Sequence, residues 1–209
     1  MKKAIFFDID GTLINTMGGV TDISPRVKDV LRLLQQEGHY VFIATGRPYA
    51  FLDKHILEFG FDGYILTNGA QVIINDQMIH SKPIDAQFMR KLVSMFEDKS
   101  IQYVLEDDKH CYLDENSKDF YAFYERINIP RDCFKCKYDA KQLDVYKVEV
   151  FCPSENVLNE CIEFIKEYPE YGYFHSIHCT HLELYFKESH KASGILNAVE
   201  YLNIPIEYS

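Results

Sequence analysis

The sequence predicts an α/β fold, a Rossmann-like parallel sheet core carrying an inserted α+β module. Three observations predict it. Ile5–Phe7, Tyr40–Ala44 and Tyr64–Leu66 are short apolar runs without polar alternation. Such runs read as strands buried on both faces, the habit of parallel sheets. Helix-period stretches separate them, and strand–helix–strand units of this kind cross over with a right hand. From about residue 83 the pattern changes to short strands mixed with helices, then returns to one helix near residue 192. Antiparallel strands with segregated helices form an α+β module. The expected boundaries are 1–82 and 185–209 for the core and 83–184 for the insertion, a usual domain size.

Each element has its own signal. Ser24 caps a helix whose first position, Pro25, suits the fixed φ of proline. Val27, Val30, Leu31 and Leu34 make its apolar face and Gly38 ends it. Phe51, Leu52, Ile56 and Phe59 predict a second helix, stopped by Gly60. Val72–Ile74 and Met78–His80 flank Asn75-Asp76, a hairpin signal. Lys82-Pro83 reads as a linker. The insertion then predicts helices over Asp85–Lys99, Ser117–Ile127 and Ser154–Lys166. Its predicted strands are Ile101–Leu105, Cys111–Leu113, Val145–Phe151, Tyr173–Ile177 and Leu182–Phe186. Ala192–Leu202 is a last helix, and Ile204–Tyr208 reads as the start of another strand.

Composition narrows the function. The chain has 209 residues, 47% apolar, with a formal net charge of −10. A large core is available. Binding to a phosphate backbone needs a basic surface, so nucleic acid is not an expected partner. Met1-Lys2-Lys3 precedes apolar residues, but Asp8 and Asp10 interrupt them too early for a signal peptide. No apolar stretch approaches the length of a membrane span. The expectation is a cytoplasmic protein whose six cysteines are free thiols.

The chemistry concentrates in Asp8-Ile9-Asp10-Gly11-Thr12-Leu13, directly after the first apolar run. Ligand sites of open α/β sheets form outside the carboxyl ends of the strands. Side chains two apart on a strand share a face, so Asp8 and Asp10 are expected in one crevice, near enough to share a cation. The full string resembles the first motif of the haloacid dehalogenase superfamily of phosphohydrolases. Ala44-Thr45-Gly46-Arg47 looks like that superfamily's second motif and Lys191 its third. Thr67-Asn68-Gly69-Ala70 and the position of the insertion resemble the Cof-like subgroup, in which the insertion is a cap domain.

The resemblance implies roles. Asp8 would be the nucleophile that forms an aspartyl-phosphate, splitting a slow displacement into two easier steps. Asp10 would protonate the leaving oxygen and then take a proton from water. Thr45, Gly46, Lys191 and Arg47 would bind phosphate, with Arg47 open to a second role in ion pairing. Mg²⁺, a hard cation, would be held by Asp8 and the backbone carbonyl of Asp10. The implied activity is a Mg²⁺-dependent phosphatase acting on small phosphate esters, sugar phosphates first. The alternatives are a catalytically silent phosphate-ligand binder and a phosphosugar mutase. The superfamily's fourth motif, an acidic metal-binding string, has no match before Ser209. The expectation is therefore a core that is incomplete at its C-terminal end, with an exposed strand edge and impaired activity. The oligomeric state is not legible.

Two other groups of residues attract notice. Cys133-Phe134-Lys135-Cys136 has zinc-ligand or redox spacing, and His175, His178, Cys179 and His181 form a second cluster. Ordinary packing along one strand face explains the latter as well. Phe120, Tyr121, Phe123 and Tyr124 suit either a substrate pocket or the core of the insertion.

Overall fold

All three apolar runs are strands of one sheet. The computed structural model describes residues 2–15, 18–176 and 179–209. The chain divides into two units. One comprises Met1–Arg47, Phe51–Ser81 and Ser189–Ser209; the other comprises Pro48–Ala50 and Lys82–Glu188.

In the first unit, β1 (Ala4–Phe7), α1 (Pro25–Gln36), β2 (Tyr40–Ala44), α2 (Lys54–Phe59) and β3 (Gly63–Leu66) follow in order. The three strands are parallel, β1 to β2 and β2 to β3. β4 (Gln71–Ile74) and β5 (Gln77–Ser81) extend the sheet antiparallel, giving the order β1-β2-β3-β4-β5. Asn75 and Asp76 join them with φ of 49° and 62°. Two left-handed residues in a two-residue loop match the twist of a hairpin. α6 (Lys191–Tyr201) lays Ala198 and Val199 on Phe42, Ala44, Ile65, Val72 and Ile74.

Several details differ from expectation. β1 pairs only with β2 among the described residues, and Ile5, Phe6 and Phe7 are half-buried rather than covered on both faces. An apolar run reports that a strand forms, not how many neighbours it finds. α1 has its Ser24 cap, but of its apolar face only Leu31 is buried, while Val30 is 52% exposed. The second helix is broken. Tyr49–Phe51 is a 3₁₀ turn, and α2 starts at Lys54 after Asp53. Gly60 ends it with φ of 72°, a left-handed cap that suits glycine. Ile204–Tyr208 is not a strand. Ile204 is buried with α6, and Ile206–Tyr208 is a 3₁₀ turn.

The second unit holds α3 (Ala86–Asp98), β6 (Gln102–Glu106), β7 (Cys111–Leu113), α4 (Lys118–Arg126), β8 (Phe134–Lys135), β9 (Lys147–Phe151), α5 (Glu155–Lys166), β10 (Tyr171–His175) and β11 (His181–Phe186). Its sheet order is β10-β11-β9-β6-β7-β8, antiparallel except for β7 with β8. α3 and α5 cover the face bearing Leu105, Val148, Val150, Leu182 and Leu184. Asp85 and Ser154 cap α3 and α5, whereas Ser117 makes no capping bond to α4.

Alternation puts Glu106, Lys147, Glu149 and His181 on the opposite face. Charged residues there would ordinarily meet water, yet all four are buried. Lys147 Nζ lies 3.0 Å from Glu106, 3.1 Å from Glu149 and 3.6 Å from Glu183. Glu149 also meets His181 Nε2 at 3.1 Å and accepts from the Tyr124 hydroxyl at 3.1 Å. Burial opposes charge on Glu149, but Lys147 and His181 more than offset it and hold the carboxyl below its ordinary range. Burial, reinforced by the neighbouring Glu149, pushes Glu106 well above that range despite Lys147. The two acids differ because Glu149 has His181 and Tyr124 as further partners, whereas Glu106 has, among the described residues, only Lys147 to set against burial and the like charge of Glu149. Phe120 and Tyr124 of α4 are core residues, stacked with each other, with Phe120 edge-on to Phe151 and Tyr124 tilted against Phe134.

Candidate active site

β1 ends at Phe7, so Asp8 and Asp10 stand beyond the strand and alternation no longer aims them. The loop after it winds around one carbonyl. Ile9 O accepts from the amides of Thr12, Leu13 and Ile14, and Gly11 takes φ of 77°. Ile9 itself is fully buried and pins the turn between the two acids. The two carboxylates therefore find different partners. Asp8 Oδ1 accepts from the Ile9 amide at 2.8 Å, and Oδ2 accepts from Lys191 Nζ at 2.5 Å. Asp10 is paired with Arg47, whose Nη2 and Nε lie 2.7 and 2.9 Å from its two oxygens.

Lys191 reaches Asp8 from the first residue of α6. His190 caps that helix through Nδ1 to the Ser193 amide, and the Ser193 hydroxyl reciprocates toward the His190 amide. The helix start lies against the 3₁₀ turn Thr67–Gly69 that follows β3. A Cβ at Gly194 would come 2.4 Å from Ile65 Cγ2. Thr67, Asn68 and Gly69 all have positive φ, 49°, 54° and 96°. For β-branched Thr67 this is a strained backbone, a condition that clusters at functional sites. Lys187, four residues earlier in the chain, donates instead to the Pro169 carbonyl within the second unit.

Thr45 is buried at the carboxyl end of β2. It is not a helix cap, since no helix begins there. Its hydroxyl accepts the Arg47 amide at 3.2 Å and keeps its own proton to donate. Asn68 donates its amide to the Thr45 carbonyl. A Cβ on Gly46 would stand 3.0 Å from Asn68 Oδ1, so Gly46 leaves room for that side chain. Arg47 is held cationic more firmly than a free arginine; burial works against its charge, and Asp10 and Asp53 more than offset that. Asp8, Lys191, Asp10, Arg47, Thr45 and Gly46 thus all lie at the carboxyl-end loops of β1 and β2 or at the start of α6. Asn68 and Asp53 join them. The motif resemblance assigns Asn68 no role, and Asp53 falls inside the stretch predicted as one helix, so nothing local marked it.

Among the described residues the cysteine and histidine clusters do not meet. Cys133 precedes β8 at one edge of the six-stranded sheet, and His175 lies on β10 at the other. His175 and His181 stand on different strands, contrary to the expectation of one strand face, and His181 is committed to Glu149. His178 and Ile177 lie outside the described residues. Among the described residues no three His, Cys, Asp or Glu side chains gather to hold a metal, and no helix is long and apolar enough to cross a membrane.

Comparison with known proteins places this geometry in a class. A family model described as haloacid dehalogenase-like hydrolase matches residues 5–208. The chain belongs to the haloacid dehalogenase-like hydrolases, the family its motif strings resemble. Among curated proteins, "Putative phosphatase YkrA" of Bacillus subtilis (strain 168) is 36% identical over 98 residues. That match covers 46% of this chain and 37% of the relative's length. A solved protein of Geobacillus kaustophilus HTA426 superposes with a TM-score of 0.83 at 23% identity, covering 98% of this chain and 77% of that one. The subclass IIB sugar phosphatase BT4131 gives a TM-score of 0.75 at 24% identity, covering 99% and 78%. These two structures show the fold.

Proposed function

We propose that the protein is a cytoplasmic phosphatase of small phosphorylated metabolites, working through an aspartyl-phosphate on Asp8. The carrying observation is the pairing of Asp8 with Lys191 across 183 residues of sequence. A nucleophilic carboxylate facing a phosphate dianion needs a fixed positive charge beside it, and electrostatic positioning dominates phosphoryl transfer. An Asp8 oxygen attacks phosphorus as the ester P–O bond breaks, and Asp10 gives its proton to the departing oxygen. Water then attacks the phosphorus of the acyl phosphate and yields a proton to Asp10, releasing inorganic phosphate and restoring Asp8. Thr45, the Gly46 amide and Lys191 bind the phosphoryl oxygens.

The Asp8 carboxylate and the Asp10 backbone carbonyl offer hard oxygens, and Mg²⁺ keeps several waters, so this sparse donor set fits it. Bound there, the ion would supply countercharge to the phosphoryl group. The fold-level likeness to a sugar phosphatase supports sugar phosphates as substrates. Residues 83–184 act in this reading as the cap that selects them.

The test is phosphate release from p-nitrophenyl phosphate and from a panel of sugar phosphates, with Mg²⁺ and with chelator. Turnover abolished by Asp8→Asn is the expected result. Phosphate binding without turnover would instead identify a silent binder, and an isomeric sugar phosphate as main product a mutase.

A further inference from the structure

Asp10, the group that must carry the proton, is held on both oxygens. Arg47 Nε donates to Oδ2 and Nη2 to Oδ1, at 2.9 and 2.7 Å. The other edge of the same guanidinium is also engaged. Nη1 donates to the Phe51 carbonyl at 2.9 Å and to Asp53 Oδ2 at 3.2 Å. Asp53 precedes α2 but makes no capping bond to its amides. Its carboxylate serves Arg47 instead.

A guanidinium has five N–H groups in a fixed plane. Four are committed here, and the fifth is the second hydrogen of Nη2. Bidentate binding of a phosphate needs two adjacent donors. Arg47 has one to spare unless it gives up Asp10, Asp53 or the Phe51 carbonyl. Its side chain is only 15% exposed, against 56% for Asp10, so the rigid partner is the arginine.

We propose that Arg47 is a positioning residue for Asp10 and not a phosphate ligand, with Asp53 and the Phe51 carbonyl aiming the guanidinium. The fork takes one lone pair on each Asp10 oxygen and leaves the outward pair on each. The positioning role rests on the reading of Asp10 as the proton carrier.

The experiment compares wild type, Arg47→Ala, Asp53→Asn, Asp10→Asn and the Arg47→Ala/Asp10→Asn double variant on two substrates. One is p-nitrophenyl phosphate, whose leaving group needs little protonation; the other is an alkyl phosphate, whose leaving group needs much. Binding of inorganic phosphate is measured calorimetrically on the same proteins. Positioned general acids contribute about 10²–10⁴-fold. Arg47→Ala should lose kcat on that order with the alkyl phosphate and distinctly less with p-nitrophenyl phosphate. It should bind inorganic phosphate within about threefold of wild type, and add little to the loss in Asp10→Asn. Asp53→Asn, the milder change, should show the same substrate bias at smaller size.

A tenfold or greater loss of phosphate affinity in Arg47→Ala, with equal losses on both substrates, would make Arg47 a phosphate ligand and overturn the proposal. So would a loss that multiplies fully with that of Asp10→Asn. Full activity in Asp8→Asn is a separate failure, of the underlying catalytic reading.

Discussion

The carbonyl oxygen of His190 lies 2.3 Å from where a Cβ on Gly69 would stand. The turn after β3 and the start of α6 touch backbone to backbone, and only a residue without a side chain permits it. This close approach brings Lys191 to Asp8.

Replacing Gly69 or Gly194 by alanine should consequently act at two levels. Each forces the helix start away from the sheet; overpacking of this kind costs about 1–3 kcal/mol. Each also draws Lys191 from Asp8, so activity should fall further than stability predicts. Urea unfolding and phosphatase assays on the same preparations check this. An alanine variant with the wild-type midpoint would mean the contact is loose.

Lys191→Met is expected to separate activity from stability. The lysine and Asp8 side chains are 36% and 38% exposed. Ion pairs this accessible contribute about 0–1 kcal/mol to folding. Loss of a fixed charge at a reacting phosphoryl group costs on the order of 10²–10³ in kcat. A variant with near-normal turnover would remove Lys191 from the site.

The buried charges of the second unit predict a pH dependence of stability. Glu106 is raised when folded, so above the unfolded carboxyl value of about 4.3 the folded state holds the extra proton and loses stability as pH rises. Glu149 is lowered, so its contribution is present above that value and is lost as pH falls through its folded one. Glu106→Gln imitates the protonated acid. It should match wild type near pH 4 and exceed it increasingly toward pH 8 in urea melts. A gap that does not grow with pH would mean Glu106 is ionised.

Lys147→Met removes the cation shared by Glu106, Glu149 and Glu183. Breaking a buried ion pair from one side typically costs about 3–5 kcal/mol. Thermal and urea unfolding at pH 7 test this, and combining it with Glu106→Gln should recover part of the loss.

Zinc is not expected in the protein. The Cys133–Cys136 pair and His175 sit at opposite edges of one sheet. Elemental analysis after purification without added zinc should find far less than one ion per chain. A stoichiometric ion would require ligands beyond those described.

Local signals carried most of the secondary structure. Apolar runs, caps and turn residues act within a few positions, and β1 to β3, the Asn75-Asp76 hairpin, α3 and α5 all follow them. The motif strings also named the residues that cluster at the strand ends, because each string is a strand plus the loop that leaves it. What they did not show was the pairing. Asp8 and Asp10 are two residues apart, yet one turns to Lys191 and the other to Arg47, because the loop winds around the Ile9 carbonyl.

By itself, then, the sequence determined the family, the strands and helices, and which side chains have the chemistry for phosphate. Tertiary structure alone decided that β1 pairs only with β2 among the described residues, that Lys147, Glu106 and Glu149 are buried, and that Asp53 serves Arg47 rather than its own helix. The physical reason is range. Dihedral preference and periodicity are settled within one turn of chain, whereas a charge finds its partner only after distant segments have packed.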